Sequence, residues 1–194
     1  LAERGVKRPR IDGGFKALRQ QSLAILSDPE KTFWLLSGRT GSAKTVIIQG
    51  LHNSIDLEGR ANHRGSAFGR RLTPQPSPVT FECALTADYL GHTKQHLVVE
   101  DESRTIGSVG LPERWHQCMQ QADIALLEVD IEQRISHIEQ EYVDHALHEA
   151  AQHGLTSDDL HQRYQNSLLR IGKRLGGARL QTLQKRLTQA FTQR

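Results

Sequence analysis

The chain has 194 residues, about 37% of them apolar, and a formal net charge of +3. A chain of that length buries one substantial α/β core with room for a helical appendage. No run approaches the roughly 18 consecutive apolar residues of a membrane span, and the opening Leu1-Ala2-Glu3-Arg4 lacks a signal-peptide core, so the expectation is a cytoplasmic protein with no membrane partner.

Cys83 and Cys118 are too few and too isolated for a disulfide framework or a cysteine-based zinc site and read as small apolar side chains. The chain opens without a methionine, and Arg4-Gly5-Val6-Lys7-Arg8-Pro9-Arg10 reads as an interdomain linker, which suggests further sequence upstream. Charge is segregated. The opening carries Arg4, Lys7, Arg8, Arg10, Lys16 and Arg19 against Glu3 and Asp12; Asp123 to Glu149 holds eight carboxylates and one arginine, Arg134; no acid follows Asp159. A solvated face is the ordinary source of a charge run, but segregation of this kind favours a polyanionic partner such as RNA.

In chain order, Phe15, Leu18, Leu23 and Leu26 have a loosely helical spacing that stops at Asp28-Pro29. Phe33-Trp34-Leu35-Leu36 is a strand, and Ser37-Gly38-Arg39-Thr40-Gly41-Ser42-Ala43-Lys44-Thr45 has the spacing of the Walker A loop at a strand-to-helix turn. In such a loop backbone N–H groups wrap phosphates, the lysine neutralises them and the hydroxyl can hold Mg²⁺. Gly38, Arg39, Thr40, Gly41, Ser42, Ala43, Lys44 and Thr45 are therefore the expected phosphate contacts. Ala43 stands where the second glycine belongs, and its β-carbon predicts weaker or altered phosphate binding.

The helix from Lys44 to about Leu51 precedes Asn53–Glu58, which reads as a second short strand whose end brings Asp56 and Glu58 near the phosphates. The Gly- and Pro-rich segment from Ala61 to Pro78 is a long irregular loop, read as a binding loop rather than a disordered insert because His63, Arg64, Ser66 and Phe68 form a chemically mixed set beside Arg70 and Arg71.

A helix from Thr80 to Leu90 leads to the buried strand His96–Val99, which ends in Glu100-Asp101-Glu102-Ser103-Arg104. An apolar strand ending in an acid has the form of a Walker B element. Asp101 is the first choice to join Thr45 around Mg²⁺, Glu100 the second, and Arg104 is either a site residue or an ion-pair partner of Asp101 or Glu102. Pro112 opens a helix through Trp115 and Met119, and Ile124–Val129 is a further strand.

Ile131, Ile135, Ile138 and Tyr142 repeat at helical spacing, which reads as packing rather than a ligand face. Thr156 and the acids after it start another helix, which breaks at Gly176-Gly177. The last helix, Ala178 to Phe191, carries the stripe Leu180, Leu183, Leu187 and Phe191. The organisation expected is a basic linker and helix over 1–30, a P-loop α/β domain with a parallel sheet flanked by helices over 31–153, and a basic helical appendage over 154–194. Arg8, Arg10, Lys16, Arg70, Arg71, Lys173, Arg174, Arg179, Lys185 and Arg186 are the candidates to grip RNA phosphates.

Three stretches together closely resemble the tRNA 2-selenouridine synthase family: the loop Gly38–Thr45, the block from Asp56-Leu57-Glu58-Gly59 through Ala61-Asn62-His63-Arg64-Gly65-Ser66-Ala67-Phe68-Gly69, and Glu100-Asp101-Glu102-Ser103-Arg104-Thr105-Ile106-Gly107. Gly13–Arg19 and Arg174–Gly177 extend the resemblance over essentially the whole chain. It implies an enzyme acting on wobble 2-thiouridine in the tRNA anticodon: geranyl diphosphate alkylates the sulfur, and selenophosphate then replaces the S-geranyl group. On that resemblance Lys44, Asp56, Glu58, His63, Arg64, Ser66, Asp101 and Arg104 are the candidate catalytic set, and glycine is the family residue where Ala43 stands. The family also has an N-terminal rhodanese-like domain with an active-site cysteine; this chain resembles only the C-terminal P-loop domain, so neither cysteine inherits that role. The alternatives from other classes are a nucleotide-dependent kinase or NTPase, and a non-catalytic RNA-binding module with a degenerate P-loop.

Overall fold

The computed structural model describes residues 11–193, so Arg4, Lys7, Arg8 and Arg10 of the basic opening lie outside the described residues. The fold centres on a four-stranded parallel sheet of order β2-β3-β1-β6. Its strands are β1 (Thr32–Gly38), β2 (Ser54–Ile55), β3 (His96–Glu100) and β6 (Asp123–Leu127). The central strand β1 pairs Trp34 with Val98 of β3 and with Asp123 of β6. The fold is the P-loop-like α/β class that the alternation of strands and helices implies.

One face of the sheet carries the core. Phe33, Leu35, Leu97 and Val99 point toward α1 (Gly14–Ser27), α4 (Pro78–Gly91) and α5 (Glu113–Gln120), where Leu26, Phe81, Leu85 and Trp115 are fully buried. The Trp115 ring lies 4.6 Å from that of Phe33 and 5.3 Å from that of Tyr89. The Tyr89 hydroxyl accepts from the backbone N–H groups of Glu30 and Lys31 at 2.8 and 3.1 Å, which pins the entry to β1 and hence the start of the phosphate loop. On the other face, α2 (Lys44–Gly50) buries Ile48. The edge strand β6 leaves Ile124 and Leu126 exposed. Cys83 and Cys118 are free and half-buried.

One local expectation needs correction, and two features add to the reading. Asn53–Glu58 is not one strand: β2 ends at Ile55, the Asp56 side chain accepts from Gly59 N–H, and the short helix α3 (Leu57–Ala61) begins there. Asp is a strong N-cap because its carboxylate satisfies an orphan N–H of the first turn, and here that ends the strand at Ile55. A two-stranded hairpin, β4 (Thr105–Ile106) and β5 (Val109–Gly110), follows β3, turning at Gly107, whose φ is +64°. The segment 61–78 is irregular, as its Gly and Pro content implies, and is tied by a bridge between His63 and Arg70 and by Gln75, which donates to both Ala61 O and Ile106 O.

The C-terminal half is helical. One long helix runs through α6 (Ile131–Glu139), a π-helical turn (Gln140–Asp144) and α7 (His145–Gln152). Then come α8 (Ser157–Arg170), the single turn α9 (Gly172–Leu175) and α10 (Gly177–Thr192). A capping box starts α8, with Thr156 and Asp159 satisfying each other's backbone N–H groups. Helices α8 and α10 lock through Phe191, whose ring lies 5.1 Å from His161 and 6.2 Å from Tyr164. Among the described residues, no helix is long and apolar enough to cross a membrane.

Candidate functional site

The turn between β1 and α2 builds the site. Ala43 caps α2 in the left-handed region at φ 60°, where a β-carbon costs about 1–2 kcal/mol. Gly41, at φ +84°, has no room for a β-carbon, which would meet the carbonyl of Arg134 and the side chain of Ile138. Helix α6 clasps the loop from that side: Arg134 Nε donates to Thr40 O at 3.1 Å, and His137 Nδ1 meets Gly41 O at 2.9 Å, which requires the proton on Nδ1. Lys44 folds back to donate to Gly38 O at 2.7 Å.

A polar cavity of about 500 Å³ opens over this loop. Gly38, Thr40, Gly41, Ser42, Ala43, Lys44 and Thr45 line it, with Glu58, Arg64, Ser66 and Asp101 from the other expected segments. Asp101 Oδ2 accepts from Ser37 Oγ at 2.7 Å. Thr45 and Asp101 thus offer one hydroxyl and one carboxylate, hard oxygen donors that fit Mg²⁺ when phosphate and water supply the remaining ligands. Glu100 is fully buried instead, its Oε2 accepting from Leu57 N–H at 2.8 Å. Burial and the neighbouring Asp56 push its carboxyl up to about 8.

Glu102 joins the cavity, although its sequence position suggests only an ion pair with Arg104. Both Glu58 and Glu102 converge on Gly65, whose φ of +56° and lack of a β-carbon make the approach possible. Burial, then the hydrogen bond to Glu102, pushes Glu58 up to about 9, while Glu102 is raised by burial and lowered by that same hydrogen bond. The two carboxyls thus form one buried acidic pair that holds a proton more readily than a lone carboxyl does.

Four expected site residues lie elsewhere. Asp56 caps α3 and accepts from Gln49 Nε2 at 2.9 Å, in a neighbouring groove. Arg104 and Arg39 are exposed and line none of the described cavities, and Arg104 makes no ion pair among the described residues. His63 lies behind the loop with Nδ1 buried and unpartnered; burial and then Arg70, Arg170, Arg64 and Arg71 lower its pKa and keep it neutral. Of the proposed RNA contacts, Lys16 is exposed on α1, Lys173, Arg174, Arg179, Lys185 and Arg186 are exposed on the last two helices, and Arg70 and Arg71 line a separate recess.

The larger departure is an apolar groove of about 910 Å³ that shares Thr40, Ser66, Ile138 and Tyr142 with the polar cavity. Phe68, Ile135, Val143, Leu147, Leu187 and Phe191 line its far side. The stripe read as packing is thus a cavity wall, with Ile135 still 56% exposed. At the junction Ser66 Oγ and Tyr142 OH are 2.8 Å apart, Tyr164 OH donates to Tyr142 O, and Arg64 lies 5.5 Å over the Tyr142 ring while bonding Glu141 at 3.2 Å. Burial raises both phenols, that of Tyr164 to about 12, so both stay neutral donors at physiological pH.

A family model described as the tRNA 2-selenouridine synthase AAA domain matches residues 31–194. The tRNA 2-selenouridine synthase of Shewanella frigidimarina is 40% identical over 95% of this chain and 52% of its own length. Those of Shewanella denitrificans and Azotobacter vinelandii are 44% and 39% identical, over 94% and 98% of this chain and 52% and 54% of theirs. The chain spans about half the length of the curated relatives it matches. No solved structure matches it significantly.

Proposed function

The chain belongs to the tRNA 2-selenouridine synthase family through its AAA domain, and from that premise we propose that it binds geranyl diphosphate and geranylates 2-thiouridine at the wobble position of tRNA. The observation that carries this reading is the joining of two unlike cavities. A polar one over the phosphate loop suits a diphosphate, and an apolar one that shares its wall suits a hydrocarbon tail. A nucleotide would leave the groove without an apolar partner, which disfavours the kinase reading. The relatives' name supports tRNA as the other substrate, and the exposed cations of the last two helices suit its backbone.

The chemistry follows from the lining. The loop N–H groups and Lys44 hold the diphosphate and stabilise its charge as it departs. With Mg²⁺ bound, Thr45 and Asp101 would hold it, and it would supply further neutralisation of that charge. The thiocarbonyl sulfur forms a bond to the allylic carbon as the carbon–oxygen bond to diphosphate breaks. The alkylated ring must then lose its N3 proton. The Glu58–Glu102 pair, both members raised by burial, accepts that proton. Ser66 and Tyr142, at the junction of the cavities, orient the base. In a second step the selenium of selenophosphate attacks C2 and the carbon–sulfur bond breaks to release geranyl thiol; water then cleaves the selenium–phosphorus bond to release inorganic phosphate, and the acidic pair returns a proton to N3.

Incubating the protein with geranyl diphosphate and thiolated tRNA, followed by mass spectrometry of the nucleosides, tests this. The expected product is S-geranyl-2-thiouridine with one diphosphate released per transfer; diphosphate release without a prenylated nucleoside contradicts it.

A further inference from the structure

Behind the loop 64–72, a recess of about 120 Å³ is walled by Arg64, Arg70, Arg71, Arg163 and Arg170, with Glu149 as its sole acidic lining residue. Arg64 also lines the phosphate-loop cavity, so one arginine borders both spaces. Arg64 is matched by Glu141, but among the described residues the other four arginines form no ion pair. Two of them are braced on neutral acceptors: Arg163 donates to Arg71 O at 2.9 Å, and Arg170 to Ser167 Oγ at 2.7 Å. All five guanidinium-bearing residues border this one recess, and His63 beside it is lowered first by burial and then by Arg70, Arg170, Arg64 and Arg71.

Gathering like charges without matching carboxylates is unfavourable unless a ligand supplies the opposite sign. Guanidinium forks match the oxygens of a tetrahedral oxyanion, and the volume admits one phosphate group and not a nucleotide.

We propose that this recess is a binding site for one free tetrahedral oxyanion of the phosphate type, separate from the diphosphate site. The site stands without the prenyl-transfer reading. The further identification of its occupant as the selenium donor, an anion of this class, rests on that reading. It would hold the second anion of the reaction across Arg64 from the first, so that neither must leave before the other enters.

The test is a calorimetric titration of inorganic phosphate into protein whose phosphate loop is already saturated with methylene diphosphonate. The wild type should bind one phosphate. Replacing the two exposed arginines, Arg70→Gln with Arg170→Gln, should weaken phosphate at least tenfold and leave methylene diphosphonate within twofold, with an unchanged circular dichroism spectrum confirming the fold. Lys44→Ala should do the reverse. Unchanged phosphate affinity in the double variant overturns the proposal. So does a loss confined to binding of an RNA oligonucleotide, which would make the recess part of an RNA surface. Failure to bind geranyl diphosphate would sink the prenyl reading alone, because the phosphate titration uses neither prenyl ligand nor RNA.

Discussion

The phosphate-loop cavity and the apolar groove beside it share a wall but are held together by different physics. The first is built around one contiguous segment, Gly38 to Thr45, and is completed by the loops at 64–66 and 101–103 and the α6–α7 helix, held to it by hydrogen bonds such as Ser37 to Asp101 and Arg134 to Thr40 O. The second is made by side chains from the loop at 66–68, the long α6–α7 helix and α10, which no local feature obliges to meet. A site written in a loop tolerates change around it, whereas one written in tertiary packing depends on every wall. That difference sets what each perturbation should do.

The largest effect is expected at the shared head group. Lys44→Ala removes a charge-assisted contact worth about 1.5–3 kcal/mol, so diphosphate and geranyl diphosphate should both weaken by roughly 10- to 100-fold in calorimetry. A loss for one ligand only would break the picture of one molecule spanning both spaces.

The acidic pair sharpens the comparison through pH. Folding raises Glu58 from 4.5 to about 9 and Glu100 to about 8. The folded state therefore keeps protons that the unfolded chain releases. Their contribution to stability is fully present below about pH 4.5 and is lost as pH rises to between 8 and 9. Glu58→Gln should flatten the decline in Tm across that interval, and Glu102→Gln should abolish transfer while leaving geranyl diphosphate affinity nearly unchanged. A Tm profile identical in wild type and Glu58→Gln would mean that Glu58 ionises normally.

A smaller effect is expected from the cationic exterior. Replacing Lys173, Arg174, Lys185 and Arg186 with Gln should lower the slope of log affinity for tRNA against log salt by about 0.7–0.9 for each phosphate that is no longer neutralised, without changing diphosphate binding. An unchanged slope would put the RNA on another face. Smallest of all, Ala43→Gly relieves a left-handed alanine, and about 1 kcal/mol of relief should raise Tm by roughly 2–4 °C; thermal melting reads it directly. The same change should tighten diphosphate modestly.

How much of this is legible in the sequence follows the same division. The order of strands and helices, the phosphate loop and the acidic end of β3 are readable because each is a local pattern. Asp56 misleads because capping and charge look alike in a sequence: a carboxylate two residues before Glu58 serves α3, not the cavity. Glu102 reads as an ion-pair partner, and only its convergence with Glu58 on Gly65 reveals the buried acidic pair. Ile135 and Ile138 carry the 3.6-residue period of any packed helix face, and periodicity cannot tell a face packed on protein from one that lines an open groove. The groove emerges only when α10 is seen opposite α6. Arg163 and Arg170 likewise read as part of a general basic tail until the fold sets them beside Arg70 and Arg71.

The central claim, that one ligand occupies both spaces, is tested most directly by comparing diphosphate with geranyl diphosphate in wild type and in an Ile135→Ser, Leu187→Ser variant. Both side chains line the groove and neither is buried in the core. Removing the apolar surface they offer the tail should cost about 1.4 kcal/mol, roughly tenfold, for geranyl diphosphate, with diphosphate itself unaffected. Equal affinities of the two ligands in the wild type, or an equal loss for both in the variant, would contradict the account.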